Sequence, residues 1–210
     1  MNFFRAPFFL PWLYPDLIWR IPSVEKEIYL TFDDGPIPGP TDFVLETLKK
    51  FNCKATFFCI GDNVRKQPNV FKRVVDSGHA IGNHTFNHLK GWSTPTTEYV
   101  RNVKRFDEQL KIENCDLKID LFRPPYGRIT RSQINSLKDY KIVMWDVLTV
   151  DYNKNVSPET CFKNSVAATR NGSIVVFHDS LKAERNMMYA LPRFIEHFLD
   201  QGYVFKSITT

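Results

Sequence analysis

The chain is poor in the features that would place it in several common classes. Its four cysteines, Cys53, Cys59, Cys115 and Cys161, form no CxxC pair, which argues against a thiolate metal site and a disulfide framework. Cys53 and Cys59 flank or lie in an apolar run, where cysteine usually serves as a small hydrophobe. Free thiols also suit a reducing compartment, so a cytoplasmic location is expected. No block of five or six like charges occurs, and the net charge of +5 is spread along the chain as solvated surface charge. Weak attraction to an anionic polymer or membrane is the alternative reading. There is no nucleic-acid-binding motif, so a nucleic-acid partner is not expected. Neither a GxGxxG loop nor a P-loop follows the first β-rich run, which removes the usual support for nucleotide binding.

A long apolar run is also missing. Met1 to Trp19 is aromatic and apolar, but Arg5, Pro7, Pro11, Pro15, Asp16 and Arg20 cut it into short pieces. It has neither the h-region and cleavage site of a signal peptide nor the length to cross a bilayer. Residues 1–22 are therefore expected to be a lead that packs on a single domain at 23–210. The hydrophobic content, 43%, is ordinary for a globular domain of this length. Aromatics reach 14%, with 18 Phe, enough for a core and for a ligand groove.

Short β-rich runs alternate with helical spacing from Ile28 onward. Strands are expected at Ile28–Phe32, Thr56–Ile60, His79–Gly82, Asp120–Phe122, Lys141–Val147, Ile174–Phe177 and Tyr203–Ile208. Helices are expected at Thr41–Phe51, Gly61–Val75, Pro95–Asn114, Thr130–Tyr140, Pro158–Arg170 and Met187–Leu199. Such alternation means an α/β fold of parallel β/α units, either an open doubly wound sheet or a closed barrel. The polar residues decide between them. Asp33 and Asp34, His84, Arg123, Asp146 or Asp151, and His178 each follow a different strand. A TIM-like barrel gathers such residues at the carboxyl ends of its strands, whereas an open sheet scatters them. A barrel is expected.

Asp33-Asp34-Gly35-Pro36 sets two acids at a strand end before a turn. Neighbours in extended chain point to opposite sides, so the turn must bring both carboxylates to one place. One can then ligate a cation while the other accepts a proton; the alternative is an Asx turn capping the next helix. His84-Thr85-Phe86-Asn87-His88 spaces two imidazoles by four, the separation that puts side chains on one face of a helical turn. Two imidazoles and a carboxylate form the donor set of an open catalytic metal site. Unrelated surface histidines are the plain alternative, and His79 and His197 look like that case. Arg123-Pro124-Pro125-Tyr126-Gly127 is a rigid loop able to aim a backbone N–H at an oxyanion, with Arg123 free to hold a carboxylate. His178 ends an apolar strand; a carboxylate such as Asp151 would keep it charged as a general acid. A surface Arg in a tight turn and a core histidine are the alternatives for these two motifs. Singly these signals are weak; their order and common place at strand ends carry the reading as a metal-dependent hydrolase.

Together the segments resemble the polysaccharide deacetylase family, the NodB-homology carbohydrate esterases (carbohydrate esterase family 4), from about Ile28 to Phe205. The resemblance implies a distorted (β/α)7-type barrel. It implies Asp33 as catalytic base, and Asp34, His84 and His88 as ligands of a divalent metal, usually Zn2+, with Co2+, Ni2+ or Mn2+ compatible. Arg123 would orient the base and the Tyr126 N–H would complete an oxyanion pocket. Asp151 would tune His178, the general acid. Tyr152 stands where Trp is common and Val176 where Leu is common, both expected near the acyl-methyl pocket. Trp92, Tyr126 and Tyr152 are candidate sugar-stacking rings. The implied activity is removal of N- or O-linked acetyl groups from a carbohydrate. Rival readings are a barrel amidase acting on a small non-sugar amide, a catalytically silent glycan-binding domain, and a non-haem Fe(II) oxygenase sharing the two-His, one-carboxylate set. The glycan, the linkage and the oligomeric state are not legible in the sequence.

Overall fold

Every strand pairing is parallel, as the β/α alternation requires. The computed structural model describes residues 4–113, 117 and 119–209. Its strands are β1 (Glu27–Asp33), β2 (Thr56–Cys59), β3 (Ala80–Asn83), β4 (Leu121–Phe122), β5 (Lys141–Ile142), β6 (Val147–Leu148), β7 (Ile174–His178) and β8 (Val204–Phe205). The helices are α1 (Leu10–Leu13), α2 (Pro40–Lys50), α3 (Gly61–Lys66), α4 (Pro68–Asp76), α5 (Thr96–Ile112), α6 (Arg131–Ser136), α7 (Pro158–Ala168) and α8 (Glu184–Leu199). The sheet runs β5-β4-β3-β2-β1-β7-β6, with β8 added beside β1.

Both edges of that path, β5 and β6, belong to one short segment, 141–148, so the sheet has to curl into a distorted barrel. The seam between them is laced by the N-terminal residues. Ile18 N donates to Ile142 O at 2.9 Å, and Met144 N donates back to Ile18 O at 2.7 Å. Ala6 N donates to Asp146 O at 2.9 Å and Leu148 N to Phe4 O at 3.0 Å.

The side-chain alternation of β1 sorts the layers. Phe32 stacks on Phe57 and Phe177, with centroids 5.1 and 6.2 Å away, and Phe177 meets Phe194 of α8 edge-on at 5.8 Å. Those rings form the core between sheet and helices. Tyr29, Phe58, Leu121, Val143 and Ile174 form a separate cluster on the other face, inside the barrel. Gly82 is required there: a Cβ would lie 2.4 Å from the Phe58 ring. Burying each such ring contributes roughly 2–3 kcal/mol.

Several expected elements differ: the helix expected to Tyr140 ends at Ser136, the last strand is only Val204–Phe205, and the last helix begins at Glu184. The single helix over 61–75 is two, α3 and α4, because Pro68 lacks an N–H and begins a new helix as its first residue. The single strand over 141–147 is split at Val143–Asp146, where the chain leaves one edge of the sheet for the other. The helix reaching Asn114 ends at Ile112; Asn114 and Cys115 lie outside the described residues. Cys53, Cys59 and Cys161 are free and buried. Burial pushes the Cys53 thiol up to about 11, so it stays protonated near neutral pH.

Candidate active site

The acid pair is brought to one place by a backbone bend. Asp33 is the last residue of β1, and Asp34 adopts a left-handed φ of 80°. That bend turns the second carboxylate into the cavity occupied by the first. The bend is braced from below by Asp179, a residue to which the sequence assigned no role. Its Oδ1 accepts from Gly35 N at 3.0 Å and its Oδ2 from Thr41 Oγ1 at 2.6 Å. A Cβ on residue 35 would fall 2.0 Å from Asp179 Oδ2, so glycine is needed there. Complete burial pushes the Asp179 carboxyl up to about 8.

Asp33 is 4% exposed and Arg123 is fully buried. Arg123 Nη1 donates to Asp33 Oδ1 and to Thr31 Oγ1, both at 2.7 Å. Its Nε donates to Val143 O at 3.1 Å and its Nη2 to Met144 O at 2.9 Å, while the guanidinium lies 4.1 Å over the Phe58 ring. Four bonds and an aromatic face make this buried cation tolerable. One oxygen of Asp33 is thereby fixed, and the other is left toward the cavity.

His84 and His88 do meet at Asp34, though not on a helix. Thr85 and His88 have φ of 63° and 57°, so residues 84–88 form a loop rather than a helical turn. Asn102 of α5 holds it: Phe86 N and Asn87 N donate to Asn102 Oδ1 at 2.9 and 3.0 Å. The two ring centroids are 5.1 Å apart, and Asp34 Oδ1 lies 3.8 Å from His84 Nε2 and 3.2 Å from His88 Nε2. One donor atom from each of the three lies within 4.8 Å of the others.

The tautomer of His84 tests whether a cation fits. Its Nδ1 lies 2.8 Å from the Arg123 carbonyl, which can only accept, so Nδ1 carries the hydrogen. Burial pushes this imidazole down to about 4, so the ring is neutral near pH 7. Its bare Nε2 lone pair therefore faces a carboxylate oxygen. Two acceptors facing each other call for a cation between them, and an N–H anchored on a carbonyl is the usual way a metal-binding histidine is oriented. Burial works to raise the Asp34 carboxyl, yet the His88 hydrogen bond and the nearby His178 charge hold it well below the ordinary range.

His178 ends β7 on the opposite wall. Asp151, almost fully buried, grips it twice: Oδ1 takes Nδ1–H at 2.7 Å and Oδ2 the backbone N–H at 2.8 Å. Burial works against the imidazolium, but Asp151, and more distantly Asp34 and Asp33, outweigh it and push the group up to about 9. Asp146, the other acid considered for this partner, instead pairs with Arg170 and Ser173, both of its oxygens engaged.

Tyr126 has a left-handed φ of 60° in the Pro125–Gly127 turn, and its ring lies 4.6 Å from that of His88. Its backbone N–H meets no hydrogen-bond acceptor among the described residues. Asp33, Asp34, His84, His88, Tyr126, Tyr152 and His178 all line one cavity of about 770 Å³. Tyr152 sits edge-on to His178, centroids 5.0 Å apart. Two expected wall residues are not in the lining of this cavity. Val176 is fully buried, one inward-facing position below His178 on β7 and away from the cavity wall. Trp92 donates Nε1–H to Ile129 O at 3.1 Å and lines an adjoining apolar cavity of about 460 Å³, whose wall shares Tyr126, Arg128, Trp145 and Leu148 with the first. Trp145, Leu148, Arg128, Lys90 and Lys182 line the same cavity without any sequence motif having pointed to them. His79 packs against Phe57 and His197 lies on the last helix, both apart from the site, as expected.

Fold and site define a parallel β/α barrel whose polar groups converge at the carboxyl ends of the strands. Comparison with known proteins narrows that class: the chain belongs to the polysaccharide deacetylase family, which residues 20–145 match. A peptidoglycan-N-acetylglucosamine deacetylase of Bacillus cereus is 33% identical over 197 residues, covering 91% of this chain and 90% of that protein. Another Bacillus cereus protein of the same description is 37% identical over 161 residues, covering 76% of this chain; the match spans 58% of that relative's own length. The crystal structure of the Bc1960 peptidoglycan N-acetylglucosamine deacetylase, bound to 4-naphthalen-1-yl-N-oxidanyl-benzamide, superposes with a TM-score of 0.88 at 32% identity. That likeness covers 97% of this chain and 95% of the other.

Proposed function

We propose that the protein hydrolyses acetyl groups from a carbohydrate in a reaction dependent on a divalent cation held by Asp34, His84 and His88. The observation that carries this reading is the His84 tautomer, which aims a bare Nε2 at the Asp34 carboxylate. The set of two imidazoles and one carboxylate favours zinc, with Co2+, Ni2+ or Mn2+ as substitutes. Bound there, such an ion supplies a Lewis acid for the acyl carbonyl and lowers the pKa of a water molecule toward neutrality. The protein groups supply the rest. Asp33, with one oxygen locked to Arg123, takes the proton of the attacking water through the other. The Tyr126 N–H stabilises the oxyanion that develops on the acyl oxygen. His178, held charged by Asp151, delivers its proton to the departing nitrogen or oxygen. The names of the relatives support an N-acetylated amino sugar of peptidoglycan as the substrate.

The test is acetate release from a panel of acetylated oligosaccharides and small amides. Release should stop with chelator and return on adding Zn2+. Full activity after exhaustive metal removal would sink the reading.

His178 also sets a pH dependence. Its charged form is the working acid; burial opposes that form but the Asp151 carboxylate raises its pKa, so activity is retained through neutral pH and lost as pH rises through the raised value. Removing the Asp151 charge in Asp151→Asn should move this alkaline limb acidward by at least about one unit, equivalent to ~1.4 kcal/mol. A pH–rate profile checks it; an unmoved limb would remove His178 as the acid.

A further inference from the structure

The proposed chemistry gives no task to three cations at the mouth of the cavity. Lys90 follows the His84–His88 loop, Arg128 follows the Tyr126 turn, and Lys182 follows β7. They thus come from three separate loops around one opening. None of the three forms an ion pair with a carboxylate among the described residues. The two carboxylates of the same wall are already engaged: Asp33 by Arg123, and Asp34 by the histidine pair.

Arg128 differs from the two lysines. Lys90 and Lys182 are exposed, the latter with its Nζ 5.9 Å from the centre of the Tyr152 ring, whereas Arg128 is half-buried with its guanidinium 4.9 Å over the face of Trp92. A planar fork held on an aromatic face loses little freedom when it meets a carboxylate, and it can do so through two parallel hydrogen bonds. A cleft lined by one sign of charge also concentrates ligands of the opposite sign. The volume of about 770 Å³ leaves room beyond the reacting sugar, within the usual span of ligand sites of ~300–1,000 Å³.

We infer that this rim selects a glycan carrying a carboxylate close to the acetyl group that is removed, with Arg128 as its principal partner and Lys182 and Lys90 adding charge. The inference rests on the deacetylase reading for the reaction and on the rim alone for the selectivity. A neutral polymer of acetylated sugars would leave these cations without a ligand group to meet.

The test uses the full-length, zinc-loaded protein and two probes: an acetylated glycan fragment with free carboxylates, and the same fragment with those groups converted to carboxamides. Binding is measured by calorimetry and acetate release in parallel. The carboxylate form should bind about tenfold more tightly at low salt, with the advantage shrinking as ionic strength rises. Arg128→Gln should reduce that advantage about tenfold, and Lys182→Gln, at an exposed position, by a smaller factor. Equal affinity for the two probes would overturn the inference, and so would an Arg128→Gln loss identical on both. Selective binding without acetate release would support the rim while sinking the deacetylase reading. Acetate release from both probes with equal affinity would do the reverse.

Discussion

His84→Ala should abolish metal retention and acetate release together, the largest effect of any single change in this site. The reasoning starts from burial. The imidazole is 2% exposed, its Nδ1 hydrogen anchored on the Arg123 carbonyl, so Nε2 has one direction to face. Removing the ring deletes one of three donors and opens a void where water replaces a fixed lone pair. Altering groups that merely orient a metal ligand costs ~10–100-fold in affinity or activity, and deleting the ligand is expected to exceed that. Metal analysis after dialysis, with circular dichroism to confirm folding, is the measurement. A folded His84→Ala protein retaining stoichiometric zinc would remove His84 from the donor set.

Asp33→Asn should separate chemistry from metal binding. Asp33 stands outside the three-donor cluster, so zinc content should be kept. Its amide cannot accept the water proton, and loss of a general base typically lowers turnover ~10²–10⁴-fold. A second effect follows from Arg123. The amide oxygen can still accept from Nη1, but the fully buried guanidinium loses its counter-charge, and breaking one partner of a buried pair costs about 3–5 kcal/mol. The bonds to Thr31, Val143 and Met144 keep part of that environment, so a lower melting temperature is expected, not failure to fold. Turnover measured below the variant's transition decides the role: wild-type rates would sink Asp33 as the base.

Much of this was legible because the strands are buried on both faces. Ile174–Phe177 reads as an unbroken apolar run and Ile28–Phe32 as one interrupted only by Thr31, and the acid or imidazole ending each run marks where the barrel opens. The residues that escaped reading are those placed by distant partners. Nothing local breaks 141–147, since Val143, Met144 and Trp145 are as strand-like as their neighbours. The break comes from pairing with Ile18 and Ala6, more than a hundred positions earlier. The histidine spacing suggested a helical turn because four residues is a helical interval. The loop that replaces it depends on Asn102, which no local pattern connects to His84. Trp145, Leu148 and the three rim cations share the cavity only because separate loops converge, so no sequence interval announces them. Asp179 adjoins His178, yet its brace under Gly35 shows only when β1 and β7 lie side by side.

The Arg123 guanidinium reaches two places at once: the Asp33 carboxylate, proposed as the proton acceptor, and the carbonyls of Val143 and Met144 in the bend that spans both margins of the sheet. One side chain thus acts as a keystone for the closing of the cylinder and for the aim of the Asp33 carboxylate. A partly unzipped molecule would lose the anchor of Asp33 in the same event, so on the proposed mechanism no half-open state would be competent for hydrolysis.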